Sequence, residues 1–372
     1  MLYVLQSLKD GVENSIEGFL TSNVLSRVKN FPKTRYQGSK LKLLDWYYEI
    51  FKDFNFKSVL DAFGGTGSVS YLFKSMGLKV IYNDYLRFNY LIGKALIENN
   101  DCILLKSDIE EIFEKKSDKK YDKIIQNQFN DIYYTKKENQ ELDIIIQNIN
   151  QIEHPYKHAL AFFGISQACL QKRPYNLFHR KNLYLRFKKV NRSFGNKKTW
   201  DTPFYPLFMR SIKEANEAIF DNGKINEAIC YPIHQIPVDK RKVDLVYLDP
   251  PYINNSGVGV DYRDFYHFLE GCTDYSSWNK KIDFTSKHKR LKRKKNSWNN
   301  ASSILLSFES VIKNFCDSTI AISYRDPGIP VIDSIIELLK EYKKQISYFE
   351  KPYKYALTSK RNRVKEIVLL AE

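Results

Sequence analysis

The chain predicts an α/β fold, a mainly parallel sheet with a long, mostly helical segment inserted into it. Three observations carry that expectation. Residues 58–98 read as strand, glycine-rich turn, helix, strand, acidic residue and helix, a βαβα unit that implies parallel strands. Short apolar runs at 228–233, 243–248 and 319–324 supply further buried strands. Between about 100 and 225 the chain turns polar and helix-prone, crowded with Lys, Arg, Tyr and Asn.

In order, residues 41–52 form an amphipathic helical pattern that begins just after Ser39-Lys40. Ser-Val-Leu-Asp-Ala-Phe at 58–63 is a short buried strand, followed by Gly64-Gly65-Thr66-Gly67 and a helix from about Val69 to Met76. Lys-Val-Ile-Tyr-Asn at 79–83 is a second strand ending at Asp84, and a helix runs from about Leu86 to Glu98. Within the insert, residues 172–200 interleave basic and aromatic side chains. Residues 280–295 hold nine Lys or Arg and read as a mobile basic loop. Val-Lys-Glu-Ile-Val-Leu-Leu at 364–370 reads as a last strand, at the sheet's edge.

The 372 residues suffice for a sizeable core, and a 43% hydrophobic content argues against wholesale disorder. A net charge of +16 favours a polyanionic partner, most simply nucleic acid or an anionic membrane surface. No apolar run approaches the roughly 20 residues that span a bilayer, and the apolar residues 2–5 are too few for a signal peptide. The five cysteines (Cys102, Cys169, Cys230, Cys272, Cys316) are scattered and odd in number, which fits free, mostly buried thiols of a reducing cytoplasm and suggests no zinc site.

The most informative stretch is Asp249-Pro250-Pro251-Tyr252, which follows the apolar run 243–248. A carboxylate, two prolines and an aromatic ring at a strand's C-terminal edge can handle a planar amine. The carboxylate and a proline carbonyl each accept one amine hydrogen, and the ring stacks on the heterocycle. The glycine turn after Phe63 lets backbone approach a ligand closely, and Asp84, 17 residues after Gly67, suits ribose hydroxyls. Its Phe-x-Gly-x-Gly spacing differs from the dinucleotide Gly-x-Gly-x-x-Gly and points to a nucleoside without pyrophosphate. Lys40 at a helix start opposes the helix dipole, which hints at a bound carboxylate.

Arg-Tyr-Gln-Gly-Ser-Lys at 35–40, Asp-Ala-Phe-Gly-Gly-Thr-Gly at 61–67, Asn-Asp at 83–84 and Asp-Pro-Pro-Tyr at 249–252, in that order, resemble the Dam-like (alpha-group) DNA adenine-N(6) methyltransferases. Residues 261–271 and 319–326 also resemble stretches of that family. The resemblance implies a Rossmann-like, S-adenosylmethionine-dependent methyltransferase sheet with an inserted target-recognition domain. It implies that Tyr36 and Lys40 hold the methionine end of S-adenosylmethionine, that Asp61, Phe63, Gly65 and Gly67 flank the cofactor, and that Asp84 binds its ribose. Asp249 and Pro250 would orient the target amine beside the cofactor, with Pro251 completing the motif and Tyr252 stacking on a flipped adenine. The family's acidic or polar group on the strand before the catalytic one has no counterpart in 229–235, where His234 or a backbone amide remains.

The expected organisation is 1–99 for cofactor binding, 100–225 for target recognition and 226–372 for the catalytic part, with a basic loop at 279–300. The partner expected is double-stranded DNA, read by Arg, Lys, Asn or Gln within 170–200 and gripped through phosphates by the basic segments. A separate cognate restriction endonuclease, a monomeric state, a cytoplasmic location and no membrane partner complete the expectation. Cytosine N(4), an RNA adenine, a protein glutamine and an inactive DNA-binding homologue are the alternatives. Asp249 argues against the glutamine enzymes, which usually carry Asn there, and against the cytosine-amine enzymes, which more often carry Ser.

Overall fold

The computed structural model describes residues 23–188, 197–254, 257, 259–353 and 364–372. Residues 2–5, the 189–196 part of the basic-aromatic stretch, and 1–22 of the expected first domain lie outside the described residues.

Seven strands form one sheet: β1 (Ser58–Asp61), β2 (Lys79–Asn83), β3 (Glu227–Ile229), β4 (Leu245–Leu248), β5 (Thr319–Asp326), β6 (Ile346–Pro352) and β7 (Lys365–Ala371). Their order is β3-β2-β1-β4-β5-β7-β6. β1 to β5 run parallel, whereas β7 is antiparallel to both β5 and β6. All four residues of β4 are buried, and they alternate between two core clusters, Leu245 and Tyr247 in one, Val246 and Leu248 in the other. A parallel strand covered on both faces reads in just this way, as a continuous apolar run.

The last strand departs from expectation. Residues 364–370 were expected at the edge, but β7 lies between β5 and β6, and the edge is β6. The apolar run of β7 belongs in the interior, while β6 alternates half-buried and exposed residues and carries Glu350 and Lys351. Because β7 is antiparallel, its second residue, Glu366, comes opposite Arg325 at the C-terminal end of β5.

The connecting helices α1 (Leu44–Phe51), α2 (Ser68–Ser75) and α3 (Arg87–Gly93) fall where helices were expected; α1 is amphipathic, α2 is buried along its whole length, and α3 continues as one π-turn over Lys94–Glu98. In the insert, α4 (Pro155–Gln171) packs along α5 (Phe204–Ala218) and against α3. The larger core cluster runs without interruption from Tyr47 and Val59 into Ile145, Phe163 and Phe208 of the insert. The basic run expected as a mobile loop folds back on itself. Ile282 pairs with Leu291 in an antiparallel bridge, both are buried, and Arg290 meets Asp283 at 3.2 Å. Two apolar anchors inside the run hold it down despite its charge. Of the five thiols, all free, only Cys169 and Cys272 are buried, so the expectation of mostly buried cysteines does not hold. No described helix is long and apolar enough to cross a membrane.

Candidate active site

The strand order reverses between β1 and β4, since β1 leads outward to β2 and β4 leads the other way to β5. Such a reversal opens a crevice at the strands' C-terminal ends, where ligands bind in open α/β sheets. Here it holds a cavity of about 920 Å³. The size is near the top of the roughly 300–1,000 Å³ range of small-molecule sites. Asp61 and the glycine turn reach it from β1, Asp84 from β2 and Asp249 from β4. Motifs separated by nearly 190 residues therefore meet at one edge.

The glycine turn is shaped by Tyr82. A Cβ on Gly64 would lie 2.1 Å from the Tyr82 ring, and one on Gly93 of α3 would lie 2.2 Å from it. The ring thus fits a slot between two glycines, with its hydroxyl donating to the carbonyls of Gly65 (2.8 Å) and Asn89 (3.0 Å). Gly67 adopts φ +78° as it enters α2, a conformation glycine takes without strain. Phe63 sits edge-on to Trp298, with ring centres 5.1 Å apart.

Asp84 accepts from Gly65 N (3.0 Å), Leu86 N (2.8 Å) and Asn89 Nδ2 (3.0 Å). Burial nevertheless pushes its carboxyl up to about 7. Burial does the same to Asp61, also to about 7, against the hydrogen bond from Ser70 (2.6 Å). Tyr36 stacks on Tyr266 (4.6 Å, 8°) and Tyr262 (5.6 Å, 1°), and its hydroxyl accepts from Asn89 Nδ2 at 3.1 Å. Gly38 sits where a Cβ would come within 2.7 Å of the Tyr262 hydroxyl. Two acceptors that line the cavity, Asp61 Oδ1 and Asn89 Oδ1, are buried without a hydrogen-bond partner among the described residues. A ligand rich in donors, such as the hydroxyls and ammonium of an amino-acid nucleoside, matches that need.

Asp249 accepts from the Tyr252 hydroxyl at 2.6 Å and lies 3.2 Å from Lys40 Nζ, both through Oδ1. Burial raises its carboxyl above the ordinary value, and the charge of Lys40 opposes that rise. Lys40 also meets Glu366 Oε1 at 2.6 Å and the Tyr252 hydroxyl. Burial alone would lower the lysine, but the charges of Asp249 and Glu366 hold it above its usual value. The carboxylate that the position of Lys40 hinted at is therefore present within the chain itself. The cavity lining includes Asp249 and Pro251 but not Pro250, which is buried, or Tyr252, whose ring lies edge-on to Tyr324. His234 is exposed and lines the cavity with Pro232 and Ile233.

Sequence reasoning missed Asn89, Trp298 and Glu366. It also placed several cations outward that point inward. Arg173 is 1% exposed, stacked over Tyr133 at 4.2 Å and donating to the Leu177 and Arg180 carbonyls. Lys172 and Arg186 are buried on Glu138, at 2.8 and 2.7 Å. These groups, with the buried Asn182, are withdrawn from base reading, whereas Arg180, Lys181 and Lys188 remain exposed. From the basic run, Lys294 and Lys295 reach the cavity's rim together with Arg263.

An α/β sheet with a nucleoside-sized crevice at its switch point and an Asp-Pro-Pro-Tyr edge defines an enzyme of the methyltransferase class. Residues 36–318 match the model of the D12 class N6 adenine-specific DNA methyltransferases, and the chain belongs to that family. It is an adenine-specific DNA methyltransferase, of a family that generally uses S-adenosylmethionine. It is 29% identical over 346 residues to the type II methyltransferase M2.HphI of Haemophilus parahaemolyticus, covering 91% of this chain and 97% of that protein. It is 26% identical to the modification methylase StsI of Streptococcus sanguinis and 23% identical to the modification methylase LlaI of Lactococcus lactis subsp. lactis, each over 83% of this chain. The chain spans about half the length of those two proteins, 46% and 49%.

Proposed function

We propose that the chain is a Dam-like (alpha-group) enzyme that methylates N(6) of a flipped adenine at a short site in duplex DNA, with S-adenosylmethionine held in the 920 Å³ crevice. The observation that carries the reading is the convergence of Asp61, Asp84 and Asp249 on that crevice, where Asp61 Oδ1 and Asn89 Oδ1 have no hydrogen-bond partner among the described residues. When bound, S-adenosylmethionine supplies a methyl group already activated by its sulfonium. Asp84 and Asp61 accept from the cofactor's donors, Phe63 and Gly65 flank it, and Tyr36 supports it through the Tyr262–Tyr266 stack. Gly67 stands outside the cavity lining, facing Ile97 and Tyr82, and contributes by shaping the turn.

An adenine inside a duplex must leave the stack to reach this depth. Asp249 then accepts one hydrogen of the amine. Among the described residues its three side-chain contacts, with Tyr252, Lys40 and Ser323, all fall on Oδ1, which leaves Oδ2 for the amine. The Pro250 carbonyl takes the second hydrogen, Pro251 shapes the wall and Tyr252 stacks on the base. The work of the chain is alignment and polarisation. Lys40 has three N–H groups, and Glu366, Asp249 and Tyr252 engage them, so in this reading it serves the amine side of the crevice rather than the methionine end.

Residues 100–225 act as the target-recognition part, and the run at 280–295 contacts phosphates. The names of the relatives, a type II methyltransferase and modification methylases, support a role as the modification half of a restriction-modification system. A monomer acting beside a separate endonuclease in the cytoplasm is part of this proposal. The test is expression in a host without adenine methylation, followed by modified-base sequencing of its genome. N(6)-methyladenine at one recurring motif, lost on Asp249→Ala while duplex binding persists, is the expected result. Methylation that survives Asp249→Ala refutes the assignment.

A further inference from the structure

Glu366 is a carboxylate buried to 0% exposure in an interior strand. Its Oε1 accepts from Lys40 Nζ (2.6 Å), Ser323 Oγ (2.7 Å) and Tyr47 Oη (3.1 Å). Tyr47 also donates to Ser323 at 3.0 Å, and Tyr247 donates to Tyr47 at 3.3 Å. Donors from α1, β5 and the Lys40 turn thus fix this carboxylate. A buried charge persists only when it is paired and hydrogen-bonded, so its location is a choice of partner rather than a surface accident.

Lys40 lies between two carboxylates, nearer Glu366 (2.6 Å) than Asp249 (3.2 Å). We propose that Glu366 is a positioning residue for methyl transfer: it draws the Lys40 ammonium back from Asp249 and thereby keeps Asp249 Oδ2 available to the target amine. The proposal rests on the reading of Asp249 as the amine's acceptor. Without the Glu366 charge, the ammonium's one remaining anionic neighbour in this cluster is Asp249. It would contract onto that carboxylate and compete with the amine for it.

The groups facing Asp249 are Lys40 before α1, Glu366 on β7, Tyr247 on β4, and Tyr47, Tyr252, Tyr262 and Asp61. Glu366 raises the Asp249 carboxyl, so its loss lowers it. The rate requires ionised Asp249, so Glu366→Gln moves the acid limb of the pH profile to lower pH. A misplaced acceptor of this kind lowers single-turnover methylation by roughly 10–100-fold.

The experiment measures single-turnover transfer from labelled S-adenosylmethionine to genomic DNA of a host without adenine methylation, as a function of pH. Affinities for cofactor and duplex are measured beside it. Glu366→Gln is expected to show the rate loss and the shifted acid limb, with both affinities within about threefold of wild type. Glu366→Asp, which keeps the charge but withdraws it from Lys40, is expected to keep the limb in place and to lose a few-fold in rate. A Glu366→Gln enzyme with wild-type rate and limb overturns the proposal. So does a rate loss matched by lost cofactor binding with the limb unmoved. Should Glu366→Gln fail to fold, an unchanged rate for Glu366→Asp is the overturning result. Asp249→Ala run in parallel separates the two ideas. Activity in Asp249→Ala refutes the amine reading itself, whereas an inactive Asp249→Ala beside a wild-type Glu366→Gln refutes only the role of Glu366.

Discussion

Replacing Gly64 by Ala tests the slot that holds the glycine turn. The new Cβ would stand 2.1 Å from Tyr82 Cε2 and 2.5 Å from two further ring atoms. Ordinary contacts begin near 3.4 Å, so the ring must retreat by more than an ångström. It has nowhere to go, because Gly93 closes the other face and two carbonyls hold the hydroxyl. Forced overpacking costs about 1–3 kcal/mol, and the two hydrogen bonds add about 0.5–1.5 kcal/mol each. The expected destabilisation is therefore roughly 3–5 kcal/mol, a melting point lower by roughly 6–20 °C at about 2–4 °C per kcal/mol for a large domain. Gly65→Ala is the comparison. Its Cβ has room, with nothing nearer than 3.7 Å, and only its φ of +53° opposes a side chain. That strain costs about 1–2 kcal/mol. The assay is thermal melting of both variants, with and without S-adenosylmethionine. Equal melting points for the two would refute the clamp. So would a Tyr82→Leu substitution that fails to relieve Gly64→Ala, because a smaller side chain in the slot should remove the overpacking part of the loss, though not the part due to the hydroxyl's hydrogen bonds.

Two further outcomes follow from buried charge. Asp61 and Asp84 ionise near 7 in the fold and at an ordinary 3.8 when unfolded, so the unfolded chain binds fewer protons between those values. Their contribution to stability falls as pH rises from about 4 to 7 and stays low above it, by an order of 4 kcal/mol each at about 1.4 kcal/mol per unit. Melting curves across that range should decline less steeply for Asp61→Asn and Asp84→Asn than for wild type; parallel slopes would contradict the burial argument. Arg173→Ala should lower the melting point by several degrees and leave the salt dependence of duplex binding unchanged, because its guanidinium is spent on Tyr133 and two carbonyls. Arg180→Ala should do the reverse, reducing the slope of log affinity against log salt by about 1, if the exposed face meets phosphate. A lowered slope for Arg173→Ala would show that the insert rearranges on DNA.

The parts of this molecule that the sequence discloses are those whose pattern is local. A glycine turn between a strand and a helix, or an apolar run ending in Asp-Pro-Pro-Tyr, can be read without knowing what lies across the sheet. What lies across the sheet is the part that stayed hidden. The antiparallel return of β7 is invisible in a string, so 364–370 was placed at an edge, where Glu366 would sit in water and need no partner. A clue was present nonetheless: one glutamate inside Val-Lys-Glu-Ile-Val-Leu-Leu, a run too apolar for an edge. In an interior strand that glutamate demands a cation, and Lys40, already out of place at a helix start, was waiting for a carboxylate. Two local anomalies, each weak, answer one another across 326 residues. The same logic works in reverse for Lys172, Arg173 and Arg186. Their alternation with aromatics resembles a nucleic-acid surface, yet Tyr133, Phe178 and Glu138 take all three inward. Charge in sequence marks a need for a partner, and only the fold decides whether the partner is the chain or the DNA.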